Sequence, residues 1–555
     1  MASIGAYPGK EVFYRVASQM RTTVETAFYG NNVKPVETLA EAYRLASAAP
    51  GTVVMDGMPV YRPEALELPP DAKALLMNDG AVSGRAAAAR RILGWPGVDK
   101  ADLYNKAVEA IYQTRKRSMI TAQALIGLEE DFMIRARLVI PQDHANILYS
   151  WLLNFQWWNS EYAARYAKSK PYPEGDILVF SDPDWTHPEH PMGLSFFDPD
   201  HNTLTLLGMR YFGEHKKGTL TLAWGTAVRQ GYASCHGGLK RFALPGNKAY
   251  VAAVFGLSGS GKSTITHARH SEKYPITVVH DDAFIINIKD KYSIALEPAY
   301  FDKTQDYPMD CGDNKFILTL QNNGATIYPD GKLRLVSEDL RNGNGRAVKS
   351  RLWSTNRVDR IDEPIDAVFW LMKDETLPPV IKLEGPSLAS VFGATLATKR
   401  TSAEHLAPGA DPDALVVEPY ANPFRTYPLS IDYVRFKSLF EGGAACYVFN
   451  TGSFMGAKVK PGDTLAILEQ IVEGRADFKP FGPFKDIKTL DWPGFSADLN
   501  ESVYRRKFAK RLSDRATFVR SLETEPGADS SDSLPPDALQ TLDSLLETLG
   551  AWVLQ

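Results

Sequence analysis

The run Gly256-Leu257-Ser258-Gly259-Ser260-Gly261-Lys262-Ser263 limits what this chain can fold into more than any other feature. Two glycines spaced by four residues and followed by Lys-Ser let backbone N–H groups turn inward around phosphate oxygens, with the positive end of a helix behind them. Such a loop works only between a strand and a helix. Residues 250–255 read as a compact strand before it, and residues 264–269 as a short helix after it. In that setting Lys262 would neutralise β- and γ-phosphate charge, and the Ser263 hydroxyl would ligate Mg²⁺. A glycine-rich turn that binds nothing is the alternative, and the strand-to-helix flanks argue against it.

Downstream, Asp281-Asp282 closes the apolar run 276–279. A carboxylate at the end of a strand beside a phosphate loop is placed to hold a divalent cation, directly or through water. In extended backbone adjacent side chains point to opposite faces, so the two acids could serve two different ions. An isolated Asp-Asp could equally be an exposed acidic turn; the loop upstream favours the metal reading.

The 555 residues, 44% apolar and 23% charged, are enough for two large cores of a globular α/β protein. A formal charge of −4 argues against a general nucleic-acid or anionic-membrane binder. Cys235, Cys311 and Cys446 are too few and too scattered for a disulfide framework or a zinc site. The N-terminus lacks a basic segment followed by an apolar run, and no apolar stretch approaches the ~20 residues of a membrane span. The expectation is a cytoplasmic protein with small-molecule partners.

Residues 1–240 mix a helical pattern at 101–117 with short strands at 176–180 and 203–207, and read as one lobe. Residues 241–522 read as a nucleotide-binding lobe, with helices at 463–473 and 500–519. A Ser-, Asp-, Glu- and Pro-rich linker at 523–536 precedes an amphipathic helix carrying Leu542, Leu545, Leu546, Leu549 and Trp552. That helix, within the tail 523–555, is expected to dock on the protein's own surface. A further segment holds Glu214, His215, Lys216 and Lys217, with His236 after it. By composition alone, Lys-Lys beside Gly218 reads as a solvated turn, and a lone histidine as a structural residue.

The segment Gly208-Met209-Arg210-Tyr211-Phe212-Gly213-Glu214-His215-Lys216-Lys217-Gly218 resembles the Gly-Thr-Glu-Tyr-Ala-Gly-Glu-Met-Lys-Lys-Gly of ATP-dependent phosphoenolpyruvate carboxykinases. Residues 255–264 resemble that family's Phe-Gly-Leu-Ser-Gly-Thr-Gly-Lys-Thr-Thr loop. Asp281-Asp282, Glu297, Asn344-Gly345-Arg346, Leu377-Pro378-Pro379-Val380 and Asn450-Thr451-Gly452 follow in the family's order, so the resemblance spans most of residues 75–520. It implies a two-lobed α/β fold with mixed sheets and a P-loop in the C-terminal lobe. The implied reaction decarboxylates oxaloacetate and transfers the γ-phosphoryl group of ATP, giving phosphoenolpyruvate, ADP and CO₂.

The resemblance also implies roles. Lys217, His236 and Asp282 would hold Mn²⁺, which requires a neutral lysine and hence a depressed pKa. Ser263 would carry the Mg²⁺ that accompanies ATP. Arg85 and Tyr211 would bind the substrate together with Lys217 and Arg346, the last bridging to the transferring phosphate. Lys262 and Asp281 complete the catalytic set. Gly256, Leu257, Ser258, Gly259, Ser260, Gly261, Lys262, Ser263 and Thr264, with Glu297, would hold ATP. Lys458, Val459 and Thr464 fall on the nucleoside side. Residues 392–404, including Lys399 and Arg400, resemble a mobile lid that excludes water.

Departures cluster around the substrate. Ser-Pro-Lys-Asp-Lys after the family's Gly-Arg is Ala86-Ala87-Ala88-Ala89-Arg90 here, His-Cys-Ser-Ala-Asn is His236-Gly237-Gly238-Leu239-Lys240, and Asp-Asp-Glu-His is Asp281-Asp282-Ala283-Phe284. Lys458 replaces an arginine on the nucleoside side. Two alternatives therefore stay open: a kinase of the same fold acting on another small molecule or a protein hydroxyl, and a nucleotide sensor without turnover. Mn²⁺ against Mg²⁺ at the second site is also open, as is the oligomeric state, with a monomer favoured.

Overall fold

The apolar run before the glycine-rich loop forms the strand Lys248–Phe255, buried over its last five residues. Burial on both faces explains why the run lacks the alternation of a half-exposed strand. A computed structural model of the protein describes residues 18–77, 87–257, 259–308, 311–337, 345–399, 415–495, 499, 501–524 and 532–553. In it Lys248–Phe255 lies inside an eight-stranded mixed sheet. The order is Ile276–His280, Gly237–Leu244, Lys248–Phe255, Ala367–Met372, Ala445–Asn450, Val380–Leu383, Phe484–Leu490 and Phe478–Phe481.

Strand direction decides what gathers at each edge. Lys248–Phe255, Ala367–Met372 and Ala445–Asn450 run parallel. Ile276–His280 shares their direction, because two successive antiparallel pairings separate it from Lys248–Phe255. Phe484–Leu490 shares it too, through two antiparallel pairings from Ala445–Asn450, so five carboxyl ends open on one edge, and four of them bring Gly256, Asp281, Lys373 and Thr451 to it. Gly237–Leu244 runs the other way, so its amino end delivers His236 to the same edge. Open α/β sheets bind ligands at such an edge.

Helices cover both faces. On one, Phe242, Val254 and Phe369 pack with Ile467, Leu468 and Ile471 of the helix Pro461–Val472. On the other, Phe255 meets Trp370 at 5.1 Å, and Phe436, from the helix Leu429–Glu441, stacks on Tyr420 at 4.6 Å. The helices Ser502–Thr524 and Pro536–Val553 pack on one another, and Leu542, Leu545, Leu549 and Trp552 are buried, so the C-terminal helix does dock on its own chain.

The described residues of 1–226 and 296–355 make up a first unit, and those of 227–295, 356–401 and 411–555 make up the second, which holds this sheet. The second unit also holds a four-stranded sheet, Tyr232–Cys235, Phe284–Asn287, Ser293–Ala295 and Arg360–Ile361. The first unit has an eight-stranded sheet around Met119–Glu129 and Phe132–Pro141, and a five-stranded sheet containing Ile317–Gln321 and Arg346–Lys349. The expected strand at 203–207 is found as Thr203–Leu207, and the helix expected at 101–117 as Lys100–Thr114. The class is α/β with mixed sheets. Cys235, Cys311 and Cys446 form no disulfide. Among the described residues, no helix is long and apolar enough to cross a membrane.

The short helix after the glycine-rich loop, Lys262–His267, lies tight on the neighbouring strand. A Cβ at Gly238 would stand 1.9 Å from Thr266 Oγ1 and 3.0 Å from Thr266 Cβ. Gly238→Ala is therefore expected to overpack this contact and lower the unfolding free energy by about 1–3 kcal/mol. Chemical denaturation would show it as an earlier midpoint; an unchanged midpoint would mean the helix can lift off without cost.

Candidate active site

One antiparallel register crosses from the small sheet into the large one. Cys235 lies opposite Phe284, and Leu239 opposite His280. Between those anchors His236 falls beside Asp282, and the Gly237 N–H donates to the Asp282 carbonyl at 3.2 Å. His236 Nδ1 is 2.5 Å from the Ala421 carbonyl oxygen, so Nδ1 carries the proton. Its Nε2 faces Asp282 Oδ1 at 3.0 Å. An imidazole lone pair and a carboxylate oxygen at that distance need a proton or a cation between them. A histidine whose other N–H is held by a carbonyl is the usual form of a metal ligand. The pair therefore fits a divalent cation, and Lys262 Nζ approaches the same Asp282 oxygen at 3.8 Å.

Asp281 points elsewhere. Its Oδ2 is 3.4 Å from His267 Nε2, and the Ser263 hydroxyl hydrogen-bonds to it. Burial alone would raise this carboxyl, but His267, His280 and Ser263 together hold it well below the usual carboxylate range. The two adjacent aspartates thus face different groups: Asp281 the loop serine, Asp282 the loop lysine and His236.

The loop itself is a left-handed turn. Gly259 and Gly261 have φ of 78° and 95°, which L side chains rarely adopt. Gly261 caps the helix, which begins at Lys262, two residues before the start read from sequence. At Gly256 a Cβ would meet Ser260 Oγ at 2.3 Å and Leu371 Cβ at 2.8 Å, so no side chain fits there. Among the described residues, the buried Ser260 Oγ finds no hydrogen-bond partner. A buried hydroxyl donor with no acceptor costs free energy, and an anion seated in the turn would supply one.

Lys240 explains where the helix ends. Its Nζ donates to Ile265 O at 2.8 Å and Ala268 O at 3.0 Å, and meets His270 Nε2 at 3.1 Å. His270 Nδ1 in turn meets Glu469 Oε1 at 2.9 Å. A cation at terminal helix carbonyls satisfies the orphan acceptors and suits the helix dipole. The sequence showed Lys240 only as a departure from the family; a lysine inside the apolar strand Gly237–Leu244 is the signal that could have singled it out.

Neighbouring loops close the edge. Asn450 Nδ2 lies within hydrogen-bond reach of Asp374 O, Leu377 O and Ser453 O, at 2.8, 2.6 and 2.9 Å. Thr451 N donates to Met372 O at 2.9 Å, and Val459 N to Gly452 O at 2.9 Å. A Cβ on Gly261 would be 4.0 Å from Thr451 Cγ2, so this loop borders the glycine-rich turn. Val459 and Thr464 are buried and Lys458 is exposed. Leu257 and Thr264 flank the turn, outside its buried floor.

In the first unit, Gln321 pins the start of the helix Phe212–Arg229: Oε1 accepts from Phe212 N at 2.9 Å and Nε2 donates to Arg210 O at 2.7 Å. Gln321 also sits opposite Arg346 in the sheet, so Tyr211 and Arg346, both buried, are held on either side of it. Lys216 and Lys217 occupy a helix, and the solvated turn suggested by composition is not formed. Lys216 Nζ is 3.0 Å from Glu297 Oε1, both side chains fully buried, and Asn154 Nδ2 donates to Glu297 Oε2 at 2.6 Å. Lys217 is half-buried, with Nζ 5.8 Å from the centre of the Trp224 ring. Arg85, Ser258, Arg400 and the rest of 401–404 lie outside the described residues. Within the expected lid, Phe392 to Ala394 close the buried helix Pro386–Ala394, and Lys399 ends the strand Ala397–Lys399.

Comparison with known proteins fits this geometry. Residues 72–305 match the sequence model of the phosphoenolpyruvate carboxykinase family. A curated protein from Aeropyrum pernix, named phosphoenolpyruvate carboxykinase (ATP), is 26% identical over 303 residues. That match covers 50% of this chain and 58% of the relative. The resemblance read from the sequence is thus upheld over a stretch that contains Tyr211, Lys217, His236, the glycine-rich turn, both aspartates and Glu297. Arg346, Lys458, Val459 and Thr464 lie beyond the family match.

Burial pushes the Lys240 ammonium down to about 7, with the Arg269 charge adding to the effect. A lysine depressed in the folded state binds fewer protons there than in the unfolded chain between about pH 7 and its ordinary value. Stability should therefore rise with pH across that window. The unfolding free energy of the wild type relative to Lys240→Met is expected to increase by up to about 1.4 kcal/mol per pH unit from pH 7 to 10. A difference independent of pH would show that the three acceptors keep Lys240 charged throughout.

Proposed function

We propose that the protein is an ATP-dependent phosphoenolpyruvate carboxykinase-like enzyme, acting on oxaloacetate and ATP. The observation that carries this reading is the divergence of Asp281 and Asp282 at the end of one strand. One faces Ser263; the other faces Lys262 and His236. Two separate carboxylate environments beside one glycine-rich turn suit two cations with different tasks: one with the nucleotide phosphates, one with the acceptor.

In the proposed reaction the bond from oxaloacetate to its departing carboxylate breaks, releasing CO₂ and leaving an enolate. The enolate oxygen then takes the γ-phosphoryl group, and ADP departs. Backbone N–H groups of the turn and the Ser260 hydroxyl would receive phosphate oxygens, and Lys262 would offset the charge that builds during transfer. Asp281, kept ionised, would orient the Ser263 hydroxyl. Asp282 and His236, with Lys217 assigned by resemblance, would hold Mn²⁺, and Ser263 would take part in holding Mg²⁺. A divalent cation so bound supplies Lewis acidity toward developing negative charge. The Ala421 carbonyl keeps the His236 proton on Nδ1 and so directs the Nε2 lone pair, beside Asp282, to the cation. Tyr211 and Arg346 would bind and orient the acceptor, with Arg346 presenting a fixed positive charge to the transferring group.

The departures after His236 have structural causes. Gly238 makes room for Thr266, and Lys240 caps the loop helix. They therefore give little support to a changed acceptor. A kinase for another small molecule or a protein hydroxyl is favoured by the replacements at Ala86 to Ala89 and at Ala283 and Phe284.

Purified protein given oxaloacetate, ATP and Mn²⁺ should form phosphoenolpyruvate, and Lys262→Ala should lower the rate by roughly 10²–10³-fold. Product no greater than in the Lys262→Ala control would sink the reading. Asp282→Asn should raise the Mn²⁺ needed for half-maximal rate, whereas Asp281→Asn should act chiefly on the KM for Mg-ATP. Identical effects from both would refute a division of labour between them.

A further inference from the structure

A second cluster of ligand-type side chains lies in the first unit, in the turn between the strands Ile177–Asp182 and Leu194–Asp198. We propose that His187, Glu189 and His190 form a binding site for a divalent transition metal of the zinc class, separate from the carboxykinase machinery. One ligand atom from each residue lies within 4.8 Å of the other two. His187 Nδ1 and Glu189 Oε2 are 3.9 Å apart, and Nδ1 accepts the Glu189 backbone N–H at 3.2 Å, a bond that ligation through this nitrogen would replace. A tetrahedral zinc site with bonds near 2.0–2.1 Å puts ligand atoms about 3.3 Å apart, so the apo arrangement must contract by roughly an ångström. Glu189 supplies that movement, because its side chain is 71% exposed and its ion-pair partner, Lys106, has a second carboxylate to turn to.

The imidazoles are held in place rather than free. The His187 ring stacks on the buried Trp185 at 5.4 Å and 8°, and the His190 ring lies 5.4 Å from that of His187. Backbone bonds from His190 N to His187 O at 3.0 Å and from Gly193 N to His190 O at 2.9 Å fix the turn. His190 Nε2 is buried and finds no hydrogen-bond partner among the described residues. Two imidazoles and one carboxylate match the donor preference of Zn²⁺, Co²⁺ or Ni²⁺ and not that of Mg²⁺.

The charges facing the cluster are Lys106, Asp102 and Arg91. Lys106 Nζ is 3.5 Å from Glu189 Oε2 but is also bonded to both oxygens of Asp102. Glu189 can therefore leave Lys106 for a metal without stranding the ammonium. A bound ion would clamp the turn and fill the valence that His190 Nε2 leaves open.

Chelator-stripped full-length protein titrated with Co²⁺ should develop tetrahedral d–d absorption that Zn²⁺ abolishes and excess Mg²⁺ does not. By equilibrium dialysis, the His187→Asn/His190→Asn variant should bind one equivalent of Zn²⁺ fewer than the wild type. Any Zn²⁺ taken by His236 and Asp282 is common to both proteins and cancels. Glu189→Gln alters an exposed side chain and should fold normally, while weakening that one equivalent at least tenfold. Equal Zn²⁺ uptake by wild type and double variant, or unchanged affinity in Glu189→Gln, would overturn the proposal. Carboxykinase activity should be unaffected by either variant.

Discussion

The site depends on the pairing of one strand. Gly237–Leu244 is hydrogen-bonded on one side to the strand that leads into the glycine-rich turn and on the other to the strand that ends at Asp281. Because both pairings are antiparallel, its amino end meets two carboxyl ends. The same register then continues into the small sheet through Cys235 and Phe284. A slip of one residue would turn every side chain to the opposite face and separate His236 from Asp282. The placing of His236 beside Asp282 is therefore a property of the backbone ladder, and the side chains need little further adjustment.

Lys240 and Gly238 belong to that same strand, and both act on the loop helix. The helix has only six residues, too short to be stable by its own hydrogen bonds. It persists because Thr266 packs into the space over Gly238 and because Lys240 satisfies its last carbonyls. The chain from Lys240 through His270 to Glu469 extends this support to the helix Pro461–Val472, which carries Thr464. Residues that differ from the family pattern thus support the glycine-rich turn from behind.

Legibility in the sequence followed the range of each interaction. The glycine-rich turn, the strand before it and the opposed aspartates were readable because spacing and local backbone geometry determine them. The helix at Lys216-Lys217 was not readable from composition, because its lysine is neutralised by Glu297 from a distant part of the chain. For the same reason nothing local announces the return of residues 296–355 to the first unit. The role of Lys240 was hidden too, since its three acceptors lie 25 to 30 residues away along the chain. The His187–His190 turn went unread because each histidine alone looks structural, and only their convergence with Glu189 marks a site.

The buried pair of Lys216 and Glu297 has a consequence for how this sequence can change over time. Removing either partner first would leave an uncompensated charge in a dry interior, which costs several kcal/mol (roughly 3–5). Replacing both together by well-packed apolar groups would cost little. Drift at these positions must therefore be concerted, and single-step paths are closed. Lys217, the next residue on the same helix, is held in its angular position by a neighbour that cannot easily be exchanged. A half-buried residue thereby gains the historical inertia of a core one.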